Sequence, residues 1–139
     1  MSLNPISEVK YRYRLAMEQL KRAERLYSLK DWVGVVSFSQ LAAENFTKSI
    51  IAIFEVPTWS HDPSGQLESL IDRLPNELTD DLKKLAKIVR NLAPEHGRSS
   101  YREPNVGLTP SDIYREDHAS DALRKAKESR KIAEKFLMP

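Results

Sequence analysis

Residues 32–55 read WVGVVSFSQLAAENFTKSIIAIFE, and this stretch decides the fold. It holds no proline and one glycine, Gly34, over a length that strands rarely reach. Its β-branched residues suit a strand, but length without breakers favours a helix. Val33, Val35, Val36, Phe38, Leu41, Ala42, Ala43, Phe46, Ile50, Ile51, Ile53 and Phe54 leave little of its circumference polar. A helix that is apolar nearly all round belongs at the centre of a bundle, so Leu41 and Phe46 are expected in the core.

Working outward, residues 6–56 carry no proline, and residues 111–138 carry neither proline nor glycine. The first helix is expected to start at Asn4-Pro5, a polar cap followed by proline at the first helical position. Ile6, Val9, Tyr13, Ala16, Leu20, Ala23 and Tyr27 alternate spacings of three and four, the pattern of a bundle seam. Lys30-Asp31 marks the turn, with Asp31 capping the second helix. Prolines and glycines concentrate in residues 57–110, which read as a broken middle. A short helix is expected over Gly65 to Leu74. A fourth follows, capped by Thr79 and stopped at Pro94, and residues 95–108 read as polar and irregular. Thr109-Pro110 opens a single turn. A last helix over Glu116 to Leu137 turns Ala119, Ala122, Ala126, Ala133 and Phe136 inward and Lys127, Lys131 and Lys135 outward. The expectation is one all-α domain over residues 1–139. It is a bundle of four to five helices, with two long antiparallel helices first and a long helix last.

Composition bounds the function. The 139 residues fit one domain, and 40% hydrophobic residues rule out wholesale disorder. The longest apolar run, Ile50 to Phe54, falls far short of the ~20 residues of a membrane span. With no apolar leader after Met1, the reading is a soluble, cytoplasmic chain without membrane contact. No cysteine is present, which excludes disulfides, thiolate metal sites and a cysteine nucleophile. The net charge of +2 does not by itself imply nucleic acid. Locally, residues 82–103 carry six basic and two acidic side chains. Lys10, Arg14, Lys21 and Arg25 share one face of the first helix, a stripe that reads as solvated but can hold phosphates.

Three histidines, His61, His96 and His118, form no metal-ligand spacing, so neither a metal nor another cofactor is expected. The best catalytic constellation is Arg90-Asn91-Leu92-Ala93-Pro94-Glu95-His96. Pro94 turns the chain out of the helix, so that His96 can swing back toward Arg90. An imidazole, titrating near ~6.5, shuttles protons at neutral pH, and a guanidinium stabilises phosphoryl charge. Together they suffice for RNA cleavage by the neighbouring 2′-hydroxyl without metal. The plain alternative is that Arg90 pairs with a carboxylate and His96 caps the helix. Gln40, Glu44 and Lys48, spaced four apart, read as a helical salt-bridge ladder. On a buried helix they can also orient loop residues such as His61, Arg98 or Tyr101.

The layout resembles the HEPN domain family. Phe38 to Lys48 is similar to its xxQxAAExxxK segment. His61 followed by Leu67 and Leu70 is similar to the opening of its third helix. Ser100-Tyr101-Arg102-Glu103-Pro104 stands where many members have Ser-Arg-Tyr-Pro. Ile113 to Ala119, with Ala122, Leu123 and Ala126, resembles the opening of its final helix. The likeness spans about residues 8–137. It implies a bundle of about five helices, commonly a homodimer. Many members are toxin–antitoxin or defence ribonucleases that act through an Arg-x(4–6)-His motif, two copies of which the dimer brings together. Others are inactive and pair with small nucleotidyltransferases or bind nucleotides. Five residues separate Arg90 from His96, a spacing within the family's range. The resemblance therefore implies Arg90, Asn91 and His96 as catalytic residues. Arg98, Tyr101 and Arg102 are implied to contact RNA or a nucleotide.

Overall fold

The computed structural model describes residues 4–98 and 107–138. The elements, in order, are α1 (Pro5–Ser28), α2 (Trp32–Ile51), α3 (Ser64–Ile71), a 3-10 turn (Asn76–Leu78), α4 (Thr79–Leu92), α5 (Glu95–Arg98), α6 (Pro110–Ile113) and α7 (Glu116–Leu137). Among the described residues the fold is all-α. Its five longer helices make the bundle, while α5 and α6 are single turns. None of these helices is long and apolar enough to cross a membrane.

Local chemistry sets most of the ends. The Asn4 side chain accepts from the Ile6 N–H at 3.0 Å, and Pro5 opens α1. Lys30 takes the left-handed conformation, φ 61°, which reverses the chain. Asp31 then accepts from the Gly34 N–H at 3.0 Å and starts α2. A Cβ on Gly34 would lie 2.8 Å from that capping carboxylate, which accounts for the glycine.

Fourteen of the twenty residues of α2 are buried, so it is the axis of the bundle. It lies between α1 and α7, with α3, α4 and α5 on its remaining side. Phe46 is fully buried and meets Tyr13 of α1 edge-on at 5.8 Å. The buried apolar residues of α1, α2, α3, α4 and α7 form one continuous core. The Tyr13 hydroxyl donates to Glu134, which also accepts from Arg130 at 3.2 Å, so α1 is tied to α7. Lys84–Glu128 and Lys135–Asp81 join α4 to α7 across their exposed edge. Where α1 begins and α7 ends, Pro5, Ile6, Ile53, Phe136, Leu137 and Met138 border an apolar cavity of about 440 Å³.

Several expectations need correction. The second helix stops at Ile51 rather than near Glu55. Ahead of Pro57 the last turn tightens to i→i+3 bonds, Ile53 to Ile50 and Phe54 to Ile51, and both side chains are exposed. Leu41 is only partly buried, and Ile6 of the α1 seam lies outside the core. The third helix ends at Ile71, three residues before Leu74. Thr79 does not cap α4. The 3-10 turn runs straight into that helix, so Thr79 is already helical and its hydroxyl donates back to the Asn76 carbonyl at 2.9 Å. Residues 95–98 are not irregular but form α5. Pro94 lacks the N–H that would prolong α4, and its fixed φ suits the start of a new turn.

Candidate active site

Gln40, Glu44 and Lys48 stand one turn apart on the face of α2 that looks toward α3 and α5, and all three are buried. Glu44 is the hub. Its Oε2 accepts from Lys48 Nζ at 3.0 Å, and its Oε1 accepts from Gln40 Nε2 at 2.9 Å. Oε1 also meets His61 Nδ1 at 3.0 Å. The Gln40 carbonyl oxygen faces the other way, to His96 Nδ1 at 3.2 Å. The two imidazoles stack on each other, with centroids 3.6 Å apart and planes 19° from parallel.

The acceptors fix the tautomers. A carboxylate held by an ammonium only accepts, so Gln40 must turn its NH₂ toward Glu44 and its C=O toward His96. Both rings therefore carry the proton on Nδ1. Their Nε2 atoms lie on the opposite side of each ring from the ladder. A buried ion pair whose remaining acceptor sites are taken up by an amide and an imidazole is a rigid support for two surface rings.

Each ring arrives on a short, pinned segment. His61 lies in the connection between α2 and α3, where buried Pro57 and Pro63 bracket the exposed residues. His96 rides on α5. Its neighbour Glu95 accepts a hydrogen bond from the hydroxyl of buried Tyr114, which fastens α5 to the approach of α7. Arg90, near the end of α4, is turned to α3: its Nε donates to Ser64 Oγ at 3.2 Å and its guanidinium pairs with Glu68. Ser64 is three residues beyond His61, so Arg90 borders the same loop. Asn91 faces α7 instead and accepts from Lys125. It lines a polar cavity of about 280 Å³ with Tyr114, His118 and Asp121. The Lys125 and Arg124 hydrogen bonds hold the Asp121 carboxyl below the usual carboxylate range.

Of the predicted site residues, His96 is thus brought to His61 and the α2 ladder, Arg90 to α3, and Asn91 to α7. Arg98 closes α5, but its side chain lies outside the described residues, as do Tyr101 and Arg102. Pairing Arg90 with His96 leaves out His61 as a ring partner. The available signal was the polar series on a buried helix, which needed partners. Among the described residues, no group of three or more His, Asp or Glu side chains is placed to hold a metal ion.

A search of curated proteins gives no significant match. The crystal structure of TT1696 from Thermus thermophilus is similar, with a TM-score of 0.67 over 92% of this chain and 97% of that one. At 21% identity, that likeness is one of fold. The model of the HEPN domain matches residues 9–137, taking in every helix that builds the α2 ladder and its two imidazoles, and the chain belongs to the HEPN domain family.

Proposed function

We propose that the protein is a metal-independent endoribonuclease of a toxin–antitoxin or defence system, acting as a homodimer. The observation that supports this reading is the stacked His61–His96 pair, whose Nδ1 atoms are held by buried Glu44 and Gln40. Preorganised imidazoles are what proton transfer at a phosphodiester requires. His96 Nε2 takes the proton of the ribose 2′-hydroxyl. The bond from the 2′-oxygen to phosphorus forms as the bond to the 5′-oxygen breaks, and the leaving oxygen receives the proton from the imidazolium. The products are a 2′,3′-cyclic phosphate and a 5′-hydroxyl. Arg90 reaches the phosphate by exchanging Glu68 for a phosphate oxygen. That pair is about half exposed, and such pairs contribute only ~0–1 kcal/mol.

The test is incubation of purified protein with structured RNA in EDTA, wild type beside His96→Ala and Arg90→Ala. His96→Ala is expected to lower the rate by roughly 10²–10⁴. Arg90→Ala should also weaken RNA binding, most visibly at low salt. Cleavage undiminished in both variants would assign the activity elsewhere.

One observation favours a second reading. Arg90 is already satisfied by Ser64 and Glu68, as a purely structural arginine would be. The domain would then be a non-catalytic module that binds a nucleotide or pairs with a small nucleotidyltransferase. Absence of cleavage by the wild type on every RNA tried selects this reading.

A further inference from the structure

Trp59 is 96% exposed, more than any other large apolar side chain among the described residues. Its loop is nevertheless tightly held. The Thr58 N–H donates to Gln66 Oε1 at 2.7 Å, and the Ser60 N–H donates to Thr58 Oγ1 at 3.2 Å. The Asp62 N–H donates to Ser60 Oγ, and the Ser64 N–H to Asp62 Oδ1, each at 3.0 Å. The indole is therefore displayed by a braced backbone.

Its surroundings narrow what it meets. The residues beside it, Thr58, Ser60, His61 and Asp62, are polar. The exposed apolar residues Ile53, Phe54 and Val56 all precede Pro57. A flat π-surface among hydrogen-bonding groups suits a flat ligand with polar edges, which describes a nucleobase better than an apolar protein face. Position adds the second argument. His61 follows two residues later, at most ~7 Å along the chain, and its ring forms the stacked pair with His96.

We propose that Trp59 is a stacking platform for an unpaired nucleobase, and that the substrate is single-stranded RNA whose scissile phosphate lies one nucleotide from the base held there. This rests on the ribonuclease reading for the role of the histidines. The recognition step itself needs only the indole and an unpaired base. Bases in a duplex are stacked on their neighbours and present no free face, so paired RNA is excluded from this platform.

The experiment uses a fluorescently labelled, uncleavable single-stranded 2′-O-methyl oligonucleotide and the duplex of the same sequence. Each is titrated into wild type, Trp59→Ala and His96→Ala. Trp32, half-buried against Tyr27 at 5.2 Å, supplies a steady emission background. The single strand is expected to quench wild-type and His96→Ala emission, and the Trp59→Ala variant to show little quenching. Loss of the platform should raise Kd by roughly 5- to 150-fold. Unchanged melting of Trp59→Ala checks that its fold is intact. An unchanged Kd in Trp59→Ala overturns the proposal. So does equal quenching by duplex and single strand, or a wild-type emission maximum that shifts on dilution, which would place Trp59 against a second copy or another protein. RNA cleavage without quenching sinks the platform and leaves the ribonuclease reading standing. Quenching by the single strand in a protein that cleaves no RNA does the reverse.

Discussion

Glu44 serves three donors from inside the bundle: the Lys48 ammonium, the Gln40 amide and the His61 ring. Removing it leaves a buried ammonium with no counter-charge, so Glu44→Ala should cost ~3–5 kcal/mol in urea denaturation. The same variant should free both rings, because Gln40 loses the contact that sets its amide. Phe46→Ala, which empties the centre of α2, should cost ~3–5 kcal/mol; an unchanged melting temperature would contradict its place in the core. Both residues were legible in the sequence, Phe46 from an apolar helix and Glu44 from spacing of four. Leu41 was misjudged because a helix apolar on every side does not reveal which side stays partly open. The meeting of His61 with His96 lay beyond pattern reading. The two residues are far apart in the chain, and their contact depends on how a loop and a single helical turn are braced.

At the scale of elements, the sequence announced helix starts more clearly than helix ends. A cap is one side chain acting on a backbone two or three residues away, as Asn4 and Asp31 do. Asp31→Ala should lower stability by ~1 kcal/mol, measured by urea midpoint at constant slope. Ends are marked less plainly: α2 closes at Ile51, well ahead of Pro57, and Pro94 both ends α4 and admits α5. The α1–α7 tie is sensitive to pH. The Tyr13 hydrogen bond, and then Arg130, hold the Glu134 carboxyl below its ordinary value. Its contribution is therefore present above the usual carboxylate range and is lost as pH falls through that range toward the lower folded value. Burial, and then Glu134, raise the Tyr13 hydroxyl. Its share is complete below the ordinary phenol range and fades as pH rises through and beyond it. Tyr13→Phe should lower Tm at neutral pH and flatten the acid side of the Tm–pH curve. An acid limb identical to wild type would show that the tie contributes nothing.

For the molecule as a whole, the proposed homodimer is tested by light scattering at micromolar concentration, where a monomer mass alone would count against it. Tyr11, Leu15 and Leu26 lie off the α1 seam in the sequence. In the fold Tyr11 is 57% exposed while Leu26 packs against the core, so α1 offers less free apolar surface than its sequence suggests. The bundle was legible because helix breakers divide the chain cleanly. The order of packing around α2 was not, since apolar stripes do not name their partners. The cavity bordered by Pro5, Ile6, Leu137 and Met138 has a topological consequence. The start of α1 and the end of α7 are neighbours in space, so a short linker between them closes the polypeptide into a ring. Opening that ring at Lys30 releases a lysine from a left-handed backbone and yields the helices in the order α2 to α7, then α1. In such a circular permutant the union of α1 with α7, the longest excursion in the chain, becomes a local hairpin, while the α1–α2 hairpin becomes the distant closure.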